Sequence, residues 1–210
     1  MRETGKIFAN SLLAGVFIGI AGTVYLMCPI PVLGAFLFGF GLLTIVCNNF
    51  KLFTGAVGYL AVQGSKTISY LYSLIIIWAG NLLGCFAVGS AVRSSRVYSL
   101  IRAKVELICK AKTADSLGSL LILAFFCGIL MYLAVDTFKR EKPAPCIRMT
   151  TLFLCVMVFI ISGFEHCIAN MYYFSAAGIW SFRNLGLILL MTLGNALGGM
   201  FLPVMDKFRN

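Results

Sequence analysis

Charge is what this sequence of 210 residues has least of. Charged residues make up 11% of it, against about 25% in a soluble domain, which excludes an ordinary water-soluble fold. Histidine is scarcer still, with His166 alone. One imidazole without a second histidine or paired carboxylates makes a poor metal or acid–base site, so neither an enzyme nor a cofactor is expected. His166 and Cys167 make no thiol–imidazole pair, because helical neighbours do not face each other. No nucleotide-binding loop is present, so movement driven by nucleotide hydrolysis is excluded. The eight cysteines have no CxxC spacing and sit mostly in apolar runs, as small core residues.

What is there instead is apolar sequence. Hydrophobic residues make up 60% and the mean hydropathy is +0.97, so the chain reads as an integral membrane protein. Six runs stand out: Ile7–Met27, Val32–Asn49, Ile68–Val92, Leu117–Val135, Met149–Gly163 and Leu185–Val204. Most approach the roughly 20 residues of a spanning helix, and two fall short. Helices are the expected form, since lipid offers the backbone no water. The first run is too long for a signal-peptide core, and no small-residue cleavage site follows it.

The net charge of +10 is no nucleic-acid signature. Its basic residues lie in loops at run ends, where they suit lipid headgroups. With both termini cytoplasmic, nine basic residues fall inside and seven outside, a small bias. Ser94–Lys112 places Val97, Leu100, Ile101, Val105 and Ile108 on one helix face. It is expected to lie in the interface, either touching headgroups or drawing anions to a pore mouth.

Gly80-Asn-Leu-Leu-Gly84 recurs as Gly194-Asn-Ala-Leu-Gly198, an offset of 114. The same offset carries Lys51 onto Glu165 and Ala14 onto Gly128. Two halves of three spans, about 1–92 and 113–210 within a single domain 1–210, would have to insert with opposite orientation. Asn48–Gly55 and Glu165–Asn170 interrupt the second and fifth runs and carry polar groups to membrane depth. Such interruptions are tolerated only where buried or facing water, which points to a pore. The run Gly163-Phe-Glu-His-Cys-Ile-Ala-Asn-Met171 contains its ionisable pair, Glu165 and His166. Opposite charges at Lys51 and Glu165 are expected to pair across the repeat, or else Lys51 faces the pathway. Asn81 and Asn195 read as hydrogen-bond partners for the broken helices, and Tyr172, Tyr173 and Trp180 as interfacial aromatics.

Leu13-Ala-Gly-Val-Phe-Ile-Gly-Ile-Ala-Gly22, Leu52-Phe-Thr-Gly55, the two Gly-Asn-x-x-Gly motifs and above all Glu165-His-Cys-Ile-Ala-Asn-Met171 resemble the formate/nitrite transporter family. The resemblance implies an all-α, aquaporin-like membrane fold of six helices with the second and fifth broken. It also implies a homopentamer in a cell membrane, each protomer with its own pathway for small monovalent anions of weak acids. His166 resembles the family's pore histidine and Thr54 the threonine facing it, although a helix cap is open to Thr54 as well. Glu165 and Asn170 belong to the matching run, and Phe38, Leu42, Leu52 and Phe159 fall at the apolar constrictions. Lys51 departs from the pattern, where an acidic residue is usual, as does Tyr132, where an asparagine is usual. The family's vestibule lysine has no clear match, Lys110 and Lys112 lying several residues upstream. A histidine that titrates near neutrality is expected to lend a proton to the passing anion. A diverged, non-transporting scaffold of the same fold is the alternative.

Overall fold

The computed structural model describes residues 2–209; the Met1 and Asn210 ends of the expected domain lie outside them. Among the described residues the chain is helical without strands. In order it forms α1 (Arg2–Met27), α2 (Pro31–Cys47), the short α3 (Phe53–Ala56) running into 3-10 turns, and α4 (Thr67–Arg93). Then come α5 (Val97–Ala114), α6 (Leu117–Lys139), α7 (Pro145–Ile161), α8 (Cys167–Ala177) and α9 (Phe182–Arg209). Four helices are long and apolar enough to cross a membrane: α1, α4 with the turn before it, α6 and α9. The 17-residue α2 and α7 are shorter, at about 25 Å each for a rise of about 1.5 Å per residue.

Both short helices start with proline at the first helical position, where its missing N–H costs nothing. Both end the same way. Phe50 N–H donates to Ile45 O and Phe164 N–H to Phe159 O, each at 2.9 Å. The turn needs a left-handed residue, supplied by Asn49 (φ 56°) in one place and Gly163 (φ 69°) in the other. Asparagine and glycine are the residues that tolerate that conformation.

The breaks are therefore Asn48–Leu52, shorter than the expected Asn48–Gly55, and Ser162–His166, which begins three residues before the expected Glu165–Asn170. Phe53–Gly55 is already helical in α3, and Cys167–Asn170 opens α8. Sequence polarity extends past the structural break because a polar side chain can sit on a buried half-helix when its partners are there.

Two helix pairs frame these segments, α1 with α4 and α6 with α9. Their closeness depends on glycine: a Cβ at Gly15 would press on the Asn81 carbonyl, and one at Gly128 on the Asn195 carbonyl. This aligns Gly128 with Gly15 rather than with Ala14, so the first helix of each half runs one residue out of the 114 register. All eleven residues of α8 are buried, held between α4, α5 and α9. Tyr172 and Tyr173 are thus core residues rather than interfacial ones, and Tyr172 Oη is 2.7 Å from Thr23 Oγ1. Trp180 donates to Ser175 Oγ at 2.9 Å.

The amphipathic helix α5 forms as expected, but its buried face is Ile101, Val105 and Cys109, and Leu100 is exposed. Lys104 fastens it to the end of α1 by donating to Tyr25 O and Cys28 O, at 2.8 and 3.0 Å. Partial burial there pulls the Lys104 ammonium below its usual range.

Candidate functional site

Each break leaves backbone groups that no helix satisfies, and a buried unpaired group costs about 1–3 kcal/mol. One asparagine serves each break. Asn81 accepts from Phe53 N–H at 2.9 Å and donates to Ser11 O and Lys51 O, at 2.7 and 2.8 Å. Asn195 accepts from Cys167 N–H at 2.8 Å and donates to Ala124 O and Glu165 O, also at 2.7 and 2.8 Å. The carboxamides are used up in this work, and neither residue lines either of the two cavities described below.

With the breaks held, two side chains meet between them. His166 is the N-cap of α8, and its Nδ1 accepts from Ala169 N–H at 3.0 Å. Nδ1 then presents a lone pair, so the ring proton sits on Nε2. Nε2 lies 2.9 Å from Thr54 Oγ1, and its N–H therefore donates to that oxygen. The Thr54 hydroxyl keeps its own proton uncommitted, with no acceptor among the described residues. Thr54 is fully buried and His166 is 2% exposed.

Aromatic and aliphatic side chains close around this pair. Phe159 stacks on the imidazole at 5.5 Å between ring centroids, and Phe38 meets Phe159 edge-on at 5.9 Å. Leu42 and Leu52 are buried as well.

Two cavities of about 320 Å³ flank the neck. One is lined by Leu52, Lys51, Lys139 and Tyr59, among others, and the second by Phe159, His166, Glu165, Asn170 and Lys112. Ile45, Val46, Asn49, Phe50, Lys51, Leu52, Gly55 and Ala56 line the first. The residues 114 positions later, Phe159 to Asn170, line the second one for one.

Glu165 does not pair with Lys51. Its carboxylate takes Lys112 Nζ at 2.5 Å and Asn170 Nδ2 at 2.6 Å, both on Oε2. The two breaks open into different cavities, so charges at matching positions face apart. Lys112 completes the α5 stripe 101, 105, 109, 112, and a cation on an otherwise apolar face was the signal for it. Tyr132 packs against Tyr59 of the first cavity's lining, with ring centroids 5.4 Å apart.

A family model described as formate/nitrite transporter matches residues 1–207. This chain belongs to the formate/nitrite transporter family. Among curated relatives, the nitrite transporter NirC of Escherichia coli (strain K12) is 26% identical over 236 residues, covering 96% of this chain and 87% of NirC. The formate channel FocB of the same organism is 24% identical, covering 81% and 66% of the two chains. A solved pentameric formate channel with formate bound superposes with a TM-score of 0.83 at 23% identity, over 99% of this chain and 97% of that one. An FNT family ion channel also scores 0.83, at 22% identity. In this member of the family, then, the Glu-His-x-x-Ala-Asn-Met run supplies His166 to the Thr54 pair and Glu165, His166, Ala169 and Asn170 to the second cavity.

Proposed function

We propose that this chain is a passive or proton-coupled membrane channel for small monovalent anions of weak acids, formate, nitrite or hydrosulfide. The observation that carries the reading is the Thr54–His166 hydrogen bond, set between two cavities, with Phe159 stacked on the imidazole, Phe38 against Phe159, and Leu42 and Leu52 buried. An anion entering this neck loses hydration, which disfavours its charge. Thr54 offers one hydroxyl proton as compensation, because the neutral imidazole already occupies one of its lone pairs. His166 acts here as a positioning residue. A proton added at Nδ1 would confront Ala169 N–H, so the cap must open before His166 passes one on. The weak acid then takes its proton in a cavity and crosses the apolar rings neutral. A scaffold without transport would leave this oriented hydroxyl and the two facing cavities without use.

The architecture behind the reading is a single domain with six spans. Two of them are α2 continued by α3 and α7 continued by α8, and the two halves are inverted with respect to each other. Support comes from the recurrence of the breaks, the asparagine clamps and the cavity linings at one offset. Trp78 also donates to Thr192, 114 residues away, at 3.0 Å, as residues on a common axis would. The formate channel of the same fold is a pentamer, and a homopentamer in a cell membrane is the assembly we infer.

The test is flux into liposomes loaded with purified protein. Formate, nitrite and hydrosulfide are each measured at two pH values, beside His166→Asn. Asparagine keeps the cap of α8 but loses Nε2–H. At least a tenfold fall in flux with an unchanged melting temperature is expected; flux equal to empty liposomes for all three anions from folded wild type would refute the reading.

A further inference from the structure

The two cavities share their backbone plan but not their charge. In the second, Lys112 is neutralised by Glu165 at 2.5 Å, and Asp115 lies on the same lining. In the first, the equivalent of Glu165 is Lys51, and Lys139 lines the same 320 Å³ space. Among the described residues neither ammonium is in an ion pair. Glu3 supplies the one carboxylate on that lining. The tyrosine hydroxyls there are engaged elsewhere, Tyr59 donating to Asp136 and Tyr70 to Ala56 O. Lys139 holds its ammonium 4.9 Å from the Tyr59 ring centroid. The backbone of Lys51 is fixed on both sides, by Asn10 O and by Asn81. The cavity thus carries two lysines on its lining, Lys51 held by its backbone and Lys139 by its ammonium over Tyr59.

We propose that this first cavity is a binding site for a small divalent oxyanion, which lodges there and blocks the pathway. The inference rests on the channel reading for the block, but the binding stands on the cavity alone. Two like charges in one space are relieved best by a ligand carrying two opposite ones. Such a ligand goes no further. Desolvation cost scales with the square of charge, so a dianion meets about four times the barrier of a formate ion at the neck. Binding without passage is block, and it acts from the Lys51 face alone.

Sulfate is the probe, at constant ionic strength balanced with chloride. Sulfate should raise the melting temperature of the detergent-solubilised protein, and Lys51→Gln/Lys139→Gln should lose that shift. The charge-conserving Lys51→Arg/Lys139→Arg should keep it, which separates loss of the site from loss of the fold. In proteoliposomes of uniform orientation, sulfate on one face should inhibit formate flux, with the half-blocking concentration at least tenfold higher in the double glutamine variant. A thermal shift equal in wild type and double glutamine variant overturns the site, as does equal block from both faces. A lysine-dependent shift in protein that carries no formate flux supports the site and instead removes the channel reading.

Discussion

At Thr54 one oxygen and one proton carry the whole polar content of the neck. The Ala169 N–H fixes the imidazole tautomer, the imidazole occupies a Thr54 lone pair, and the hydroxyl proton is left for a solute. The other consequential residues are Lys112 and Glu165, with side chains 14% and 5% exposed. Removing one partner of a buried pair costs about 3–5 kcal/mol, whereas replacing both is often tolerated. Lys112→Met and Glu165→Gln should each lower the melting temperature markedly in detergent, and the double variant should recover much of the loss. Equal destabilisation by the double and the singles would show that the pair is not the reason. His166, Glu165 and Asn170 were legible because one motif holds them together, and Thr54 because it stands in the separate Leu52–Gly55 motif. The partner of Glu165 was not, because Lys112 reaches it from 53 residues away and only folding chooses between Lys51 and Lys112.

The breaks are the elements on which the site depends, and each hangs on one asparagine. Asn81→Ala and Asn195→Ala each strand the backbone groups of a buried break, at about 1–3 kcal/mol per group. We expect the two variants to be destabilised alike, and comparable losses in thermal unfolding would check that equivalence. Gly128→Ala should cost about 1–3 kcal/mol by overpacking, since its Cβ meets a backbone carbonyl that cannot step aside. Gly118→Ala in the same helix has open space and should be neutral in the same melt. The helix runs and their repeat could be read from apolar length and spaced glycines. The ends of the breaks could not, because the left-handed turns at Asn49 and Gly163 and the buried half-helix α8 are set by tertiary hydrogen bonds. Nor could the interior placement of Tyr172 and Tyr173, since an aromatic near a run end looks the same facing lipid or core.

Across the whole molecule, two cavities of about 320 Å³ are built on one recurring lining, and one is neutralised by its own acid while the other carries two lysines. Under the proposed function, that asymmetry would make entry side-dependent. The central claim is narrower: the solute crosses by hydrogen bonding to the hydroxyl of Thr54. The most direct measurement is formate flux in proteoliposomes from wild type, Thr54→Ser and Thr54→Val. Serine preserves the hydroxyl and valine replaces it with a methyl group of similar shape. The account predicts near wild-type flux for serine and at least a tenfold loss for valine, with all three proteins melting within a few degrees. Valine transporting formate as fast as wild type would contradict it.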